Sequence, residues 1–142
     1  DAGSFLFLYS RNSQLATEIS QKMKHPFEEF RARREAGNTQ VLDTENLATK
    51  RFFALDKQVY GKGALSVREK EMLGLVASMV LRCNDCIDYH LERCIDEGVS
   101  KAELDEAMGV AMMVGGSIVI PHARHAAGSI EYLLQDGLSL KD

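Results

Sequence analysis

Apolar residues recur along this chain at helical rather than strand spacing. Leu15, Ile19 and Met23 fall at i, i+4 and i+8, one face of a helix that should end near Pro26. "PFEEFRARREAGN" opens on a helix-compatible proline and meets a stop signal at Gly37-Asn38. Asp43 or Thr44 can open a third helix through Phe52, Leu55 and Val59 to Gly61. Two sharper starts follow. Ser66 with Glu69 and Ser100 with Glu103 both read S-x-x-E ahead of an apolar run, the capping-box pattern in which side chain and backbone satisfy each other. They predict helices near 67–81 and 101–114. Between them a helix over about 84–97 should close at Gly98. A last one should run from about Gly116 to Gln135, with Pro121 near its start or at a kink, and close near Gly137. No run alternates apolar and polar long enough to make a strand. The pattern predicts an all-α fold of about six helices with short connections.

One segment is too apolar for a surface helix. "AMGVAMMVGGSIVIP", Ala107 to Pro121, has almost no polar stripe and should be buried on most sides. It reads either as the central core helix or as a helix covered partly by a neighbouring subunit, with Gly115, Gly116 and Ser117 permitting close approach of another backbone.

Composition narrows the picture. The 142 residues suit one domain, and 45% hydrophobic with 27% charged suits a soluble one with a sizeable core. A formal charge of −4 argues against a nucleic-acid surface, which needs clustered Lys and Arg. No apolar run approaches the roughly 20 residues that span a bilayer. The "FLFLY" run, Phe5 to Tyr9, is too short for a signal-peptide core and has no basic residue before it. The three cysteines cannot all pair internally. A reducing, cytoplasmic setting is expected, where a CxxC is more often catalytic or metal-binding than structural.

All three cysteines lie in "LRCNDCIDYHLERC", residues 81–94. On a helix, Cys86, His90 and Cys94 line one face a turn apart, with Cys83 at or just before the first turn. A zinc site fails on geometry, because Cys83 and Cys94 would lie about 16 Å apart along an unbroken helix, whereas zinc holds its ligands at about 2.0–2.3 Å. Only His122 and His125 offer distant partners, and no metal or other cofactor is expected. A redox pair accounts for more of the residues. Two cysteines three apart at a helix start bring their sulfurs within disulfide reach, and the positive end of the helix favours a thiolate. His90 is placed to exchange a proton with Cys86, while Asp85 works against ionisation of its neighbours. The alternative is a buried cysteine pair with His90 satisfied in the core. Glu71 adds weight to chemistry, because it shares a helix face with Gly74, Leu75 and Ser78, where burial would favour a retained proton. The competing reading is an exposed first-turn acid.

Together, E-x11-C-x-x-C-x3-H (Glu71, Cys83, Cys86, His90), "GVSKAELDEAM" and the Gly-rich apolar helix resemble the carboxymuconolactone decarboxylase family, in its alkylhydroperoxidase D-like branch. The likeness covers roughly residues 45–135. It divides the chain into an N-terminal helical extension, 1–40, and a family domain, 41–142. It implies a helical bundle assembling as a homo-oligomer, a hexamer or a trimer. It also implies roles: Cys86 attacks a peroxide, Glu71 draws off its proton through His90 and a water, and Cys83 captures the sulfenic acid. The disulfide is then reduced by a thiol reductant or adaptor protein. Cys94 stands outside the motif and is assigned to packing. Asp85 and the histidines of "HARH" depart from what the motif requires. The expected function is therefore a thiol-dependent peroxidase or disulfide reductase in antioxidant defence. A carboxymuconolactone-type lyase using His90 and Glu71, and a non-catalytic oligomer of the same fold, are the alternatives.

Overall fold

The computed structural model describes residues 26–135 and 137–140. Among them lie six α-helices and no strand: α1 Pro26–Leu42, α2 Leu47–Val59, α3 Val67–Val80, α4 Asn84–Asp96, α5 Lys101–Gly115 and α6 Ile120–Gln135. A 3-10 turn, Ser117–Val119, joins the last two. The helix expected over Leu15, Ile19 and Met23 lies outside the described residues.

Both capping boxes form. Ser66 and Ser100 each accept from the backbone N–H three residues on, and Glu69 and Glu103 reach back to the cap N–H. Glu103 also receives the Arg68 guanidinium, so the second box ties the starts of α3 and α5 together. Arg68 and the Ser100 donors hold the Glu103 carboxyl down at about 2.

The register set at Ser66 turns Glu71, Gly74, Leu75, Ser78 and Met79 inward. α3 packs on both α4 and α5, and α4 packs on α6. The core between them holds Leu75, Met79, Ile87, Leu91, Leu104 and Leu133, all fully buried. Phe27 and Phe30 of α1 join the same cluster.

The turn between α3 and α4 delivers the cysteines. α3 closes in a Schellman motif: Cys83 N–H bonds the Ser78 carbonyl and Arg82 N–H bonds that of Met79. Arg82 takes the left-handed position at φ 62°, where glycine is usual. The equivalent closures of α4 and α6 do use glycine, Gly98 at φ 77° and Gly137 at φ 92°. Cys83 then becomes the N-cap of α4.

Three expectations need correction. Gly37-Asn38 does not stop α1, which continues to Leu42. Gly37 has open space where a Cβ would stand, and one glycine on a helix surface costs only about 1 kcal/mol. The next helix is capped not by Asp43 or Thr44 but by Asn46, whose side chain accepts from Ala48 N–H at 3.0 Å; Thr44 accepts from Asn46 N–H. The segment 107–121 is not enclosed within the chain. Ala107, Met108 and Ala111 are buried, but Val110, Met113, Val114 and Ile118 are exposed, Met113 to 86%. Pro121 stands near the start of α6, after the 3-10 turn.

Candidate redox site

Cys83 and Cys86 are bonded to each other in this structure, with their Cα atoms 5.2 Å apart. Cys83 is the cap and Cys86 the third residue of α4, and Cys86 N–H points at Cys83 Sγ at 3.3 Å. The helix start therefore favours negative charge on the Cys83 sulfur as well as on Cys86. Cys94 is fully buried, two turns further on. Burial and the nearby Glu71 push its thiol up to about 12, so it stays protonated.

One turn beyond Cys86, His90 is 8% exposed and meets Glu71, 2% exposed, across the α3–α4 interface. Glu71 Oε2 and His90 Nδ1 are 2.7 Å apart. The exposed first-turn acid is thus excluded for Glu71. The other carboxylate oxygen faces Arg93 Nε at 3.5 Å. Arg93 also bonds Glu97 at 2.9 Å. Burial disfavours its charge, but Glu71 and Glu97 outweigh that and raise its affinity for the proton. A buried carboxylate with a fixed cation and an imidazole against it is compensated rather than stranded.

Aromatic rings hold the imidazole. Tyr60, just past the end of α2, lies tilted over His90 with ring centres 5.3 Å apart, and Tyr89 meets it edge-on at 5.1 Å. Burial and then Glu71 raise the Tyr60 phenol, which stays protonated. Gly74 makes this packing possible. A Cβ there would stand 2.5 Å from His90 Cε1 and 2.7 Å from the Tyr60 hydroxyl, closer than atoms can approach.

Cys86 and His90 open on one cleft of about 490 Å³. Its other walls come from Tyr60 and Asp56 at the end of α2, Asp85 and Tyr89 of α4, and Arg33, Arg34, Gly37 and Asn38 of α1. Sequence reasoning missed the contribution of α1 altogether. It also missed Arg93, although the spacing of three from His90 and seven from Cys86 puts Arg93 on the same face.

The two histidines of "HARH" lie on the other side of α4. His122 bonds Asn84 at 2.7 Å, and His125 bonds Asp88 at 2.8 Å, which also accepts from Ser129. They tie α6 to α4 and point away from the cysteines' column. Among the described residues no three His, Cys, Asp or Glu side chains converge as metal ligands. No helix of the described residues is long and apolar enough to cross a membrane.

Residues 47–128 match the model of the carboxymuconolactone decarboxylase family. Two crystal structures from Thermotoga maritima superpose with TM-scores of 0.75 and 0.73 at 53% and 50% identity. They cover 78% and 80% of this chain and 96% and 99% of their own. The second is described as a carboxymuconolactone decarboxylase family protein with a suggested part in antioxidative response. A protein of the same family from Legionella pneumophila, 20% identical with a TM-score of 0.70 over 78% of this chain and 98% of its own, shares the fold. A Paracoccus denitrificans protein described as uncharacterized protein 4 in the cox locus is 30% identical over 80 residues, 56% of this chain and 72% of its own.

Proposed function

The chain belongs to the carboxymuconolactone decarboxylase family, and on that footing we propose that it is a thiol-dependent peroxidase acting through Cys83 and Cys86 in a reducing cytoplasm. The observation that carries this reading is a convergence. Cys86 and His90 line one cleft, His90 is backed by buried Glu71, and Cys83 is paired with Cys86.

The chemistry follows from the contacts. In this mechanism Glu71, which Arg93 faces at 3.5 Å, takes the hydrogen bond from His90 Nδ1–H. That leaves Nε2 as the base of the ring, one turn from Cys86. His90 takes the Cys86 proton, and the thiolate attacks the peroxide oxygen, releasing an alcohol or water and leaving a sulfenic acid. Cys83 displaces the hydroxyl as water and closes the disulfide. Two electrons from a thiol reductant reopen it. The suggested antioxidative part of the Thermotoga maritima relative agrees with this reading.

The test is a thiol count. The reduced protein has three free thiols; peroxide should remove two and leave Cys94, and a thiol reductant should restore them with continued turnover. Retention of all three against organic and inorganic peroxides would reject the reading and return attention to acid–base chemistry at His90 and Glu71.

The working form is further proposed to be a homo-oligomer, a trimer or hexamer. α5 exposes Val110, Met113 and Val114, beside a groove of about 590 Å³ lined by Leu65, Leu73 and Val76. So much apolar surface on a small chain supports this reading. Native mass spectrometry at micromolar concentration should show the assembly; monomer alone would contradict it.

A further inference from the structure

The cleft that exposes Cys86 carries four charged side chains besides the imidazole, and they are not equivalent. Arg33 and Asp85 pair with each other at 2.8 Å. Arg34 and Asp56 do not pair. Arg34 stacks its guanidinium on the Tyr89 ring, 4.0 Å from the centroid, and has no carboxylate within ion-pair reach among the described residues. Asp56, on α2, likewise has no cationic partner among them. Opposite charges that can reach each other across this cleft have paired; these two are left on different walls.

Arg34 is also held in place. Tyr89, on which it rests, is the ring that meets His90 edge-on, so the cation stands one ring away from the candidate base. A stacked guanidinium keeps its donors free for a carboxylate. An unpaired carboxylate on the facing helix suits an ammonium. The volume, about 490 Å³, falls in the range of sites for small molecules rather than for a protein segment.

We propose that the cleft binds a low-molecular-weight zwitterionic thiol, with its carboxylate on Arg34 and its ammonium on Asp56, as the direct reductant of the Cys83–Cys86 disulfide. The inference rests on the thiol–disulfide reading above and names its reductant by chemical class. The bound thiolate attacks Cys86 Sγ, since Cys86 is the one of the pair that lines the cleft, and forms a mixed disulfide as the Cys83–Cys86 bond breaks. Cys83 leaves as a thiolate beside the Cys86 N–H. A second thiol molecule attacks the external sulfur and departs as the symmetrical disulfide, leaving Cys86 reduced. Two thiols lose two electrons and two protons, and the two cysteines gain them.

Four small thiols separate the charges: cysteine is zwitterionic, 3-mercaptopropionate anionic, cysteamine cationic and 2-mercaptoethanol neutral. Reduction of the disulfide would be followed by acid quenching at timed intervals, alkylation of the free cysteines and mass spectrometry of the Cys83–Cys86 peptide, in the parent, Arg34→Gln, Arg34→Lys and Asp56→Asn. Each variant is compared with the parent for the same thiol, which cancels intrinsic thiol reactivity. Arg34→Gln should slow cysteine and 3-mercaptopropionate by about fivefold, the upper range for an exposed charge pair, and leave cysteamine unchanged. Asp56→Asn should slow cysteine and cysteamine by the same factor and leave 3-mercaptopropionate unchanged. Arg34→Lys should recover most of the rate.

Equal slowing of all four thiols would show a general disturbance of the cleft and overturn the proposal, as would unchanged rates with cysteine. Dithiothreitol reduction, then peroxide, on the same samples keeps the two readings apart. If peroxide fails to reoxidise the pair, the peroxidase assignment falls while the thiol ranking still decides this one.

Discussion

Glu71 Oε2 stands 2.7 Å from His90 Nδ1 in the interior between two helices, and neither side chain is more than a tenth exposed. In the proposed mechanism a carboxylate placed there would orient the imidazole and stabilise the imidazolium formed as His90 takes the Cys86 proton, as in other carboxylate-backed histidines. The two groups then act as one device. His90→Ala should lower kcat/KM for peroxide by about 10²-fold, the usual scale for a positioned base. Glu71→Gln should cost about as much, and the double variant little more than either single one. Multiplying losses in the double variant would mean that the two serve separate steps.

Gly74→Ala tests the packing around that device. In an ordinary helix the change gains about 1 kcal/mol, but here the new methyl would collide with His90 and the Tyr60 hydroxyl. Overpacking of this kind costs about 1–3 kcal/mol. The expected result is a lower urea midpoint together with a loss of peroxide turnover. A stabilised, fully active variant would show that His90 is not held where the structure places it.

Much of this was readable in the sequence, and what was not has physical causes. Both S-x-x-E boxes, and the inward face carrying Glu71, Gly74 and Ser78, follow from bonds and spacings local to one helix. Arg93 was on the right face but reads as a surface charge unless the depth of Glu71 is known. The walls given by Arg33, Arg34 and Tyr60 depend on where α1 and α2 fold back over α4, a long-range fact with no periodic signature. Of the two readings of the apolar segment 107–121, the exposed Val110, Met113 and Val114 exclude the enclosed core helix and leave the other open. A pattern that demands burial does not say by which chain.

Cys94 should prove structural. It lies about 12 Å along the helix axis from Cys86, and Cys94→Ala should leave turnover within a few-fold of the parent. Its thiol is raised to about 12, against about 8.5 in an unfolded chain. The folded state therefore prefers the protonated form. The stability this contributes is whole below about pH 8.5 and is lost as the pH climbs towards 12. Urea midpoints across that alkaline range should fall more steeply for the parent than for Cys94→Ala. Parallel curves would contradict the assignment.

The order of events at the pair is the most exposed claim. Cys86 shares the cleft with His90, which the proposed mechanism uses as the acceptor of its proton; Cys83, at the cap, is proposed to react second. The helix start also aids the Cys83 sulfur through the Cys86 N–H, which makes the question experimental. Each single variant, reduced, given one equivalent of peroxide and trapped with dimedone, would be mapped by peptide mass spectrometry. The structure predicts an adduct on Cys86 in Cys83→Ser and none on Cys83 in Cys86→Ser; an adduct on Cys83 in Cys86→Ser, with Cys86 unmodified in Cys83→Ser, would contradict it.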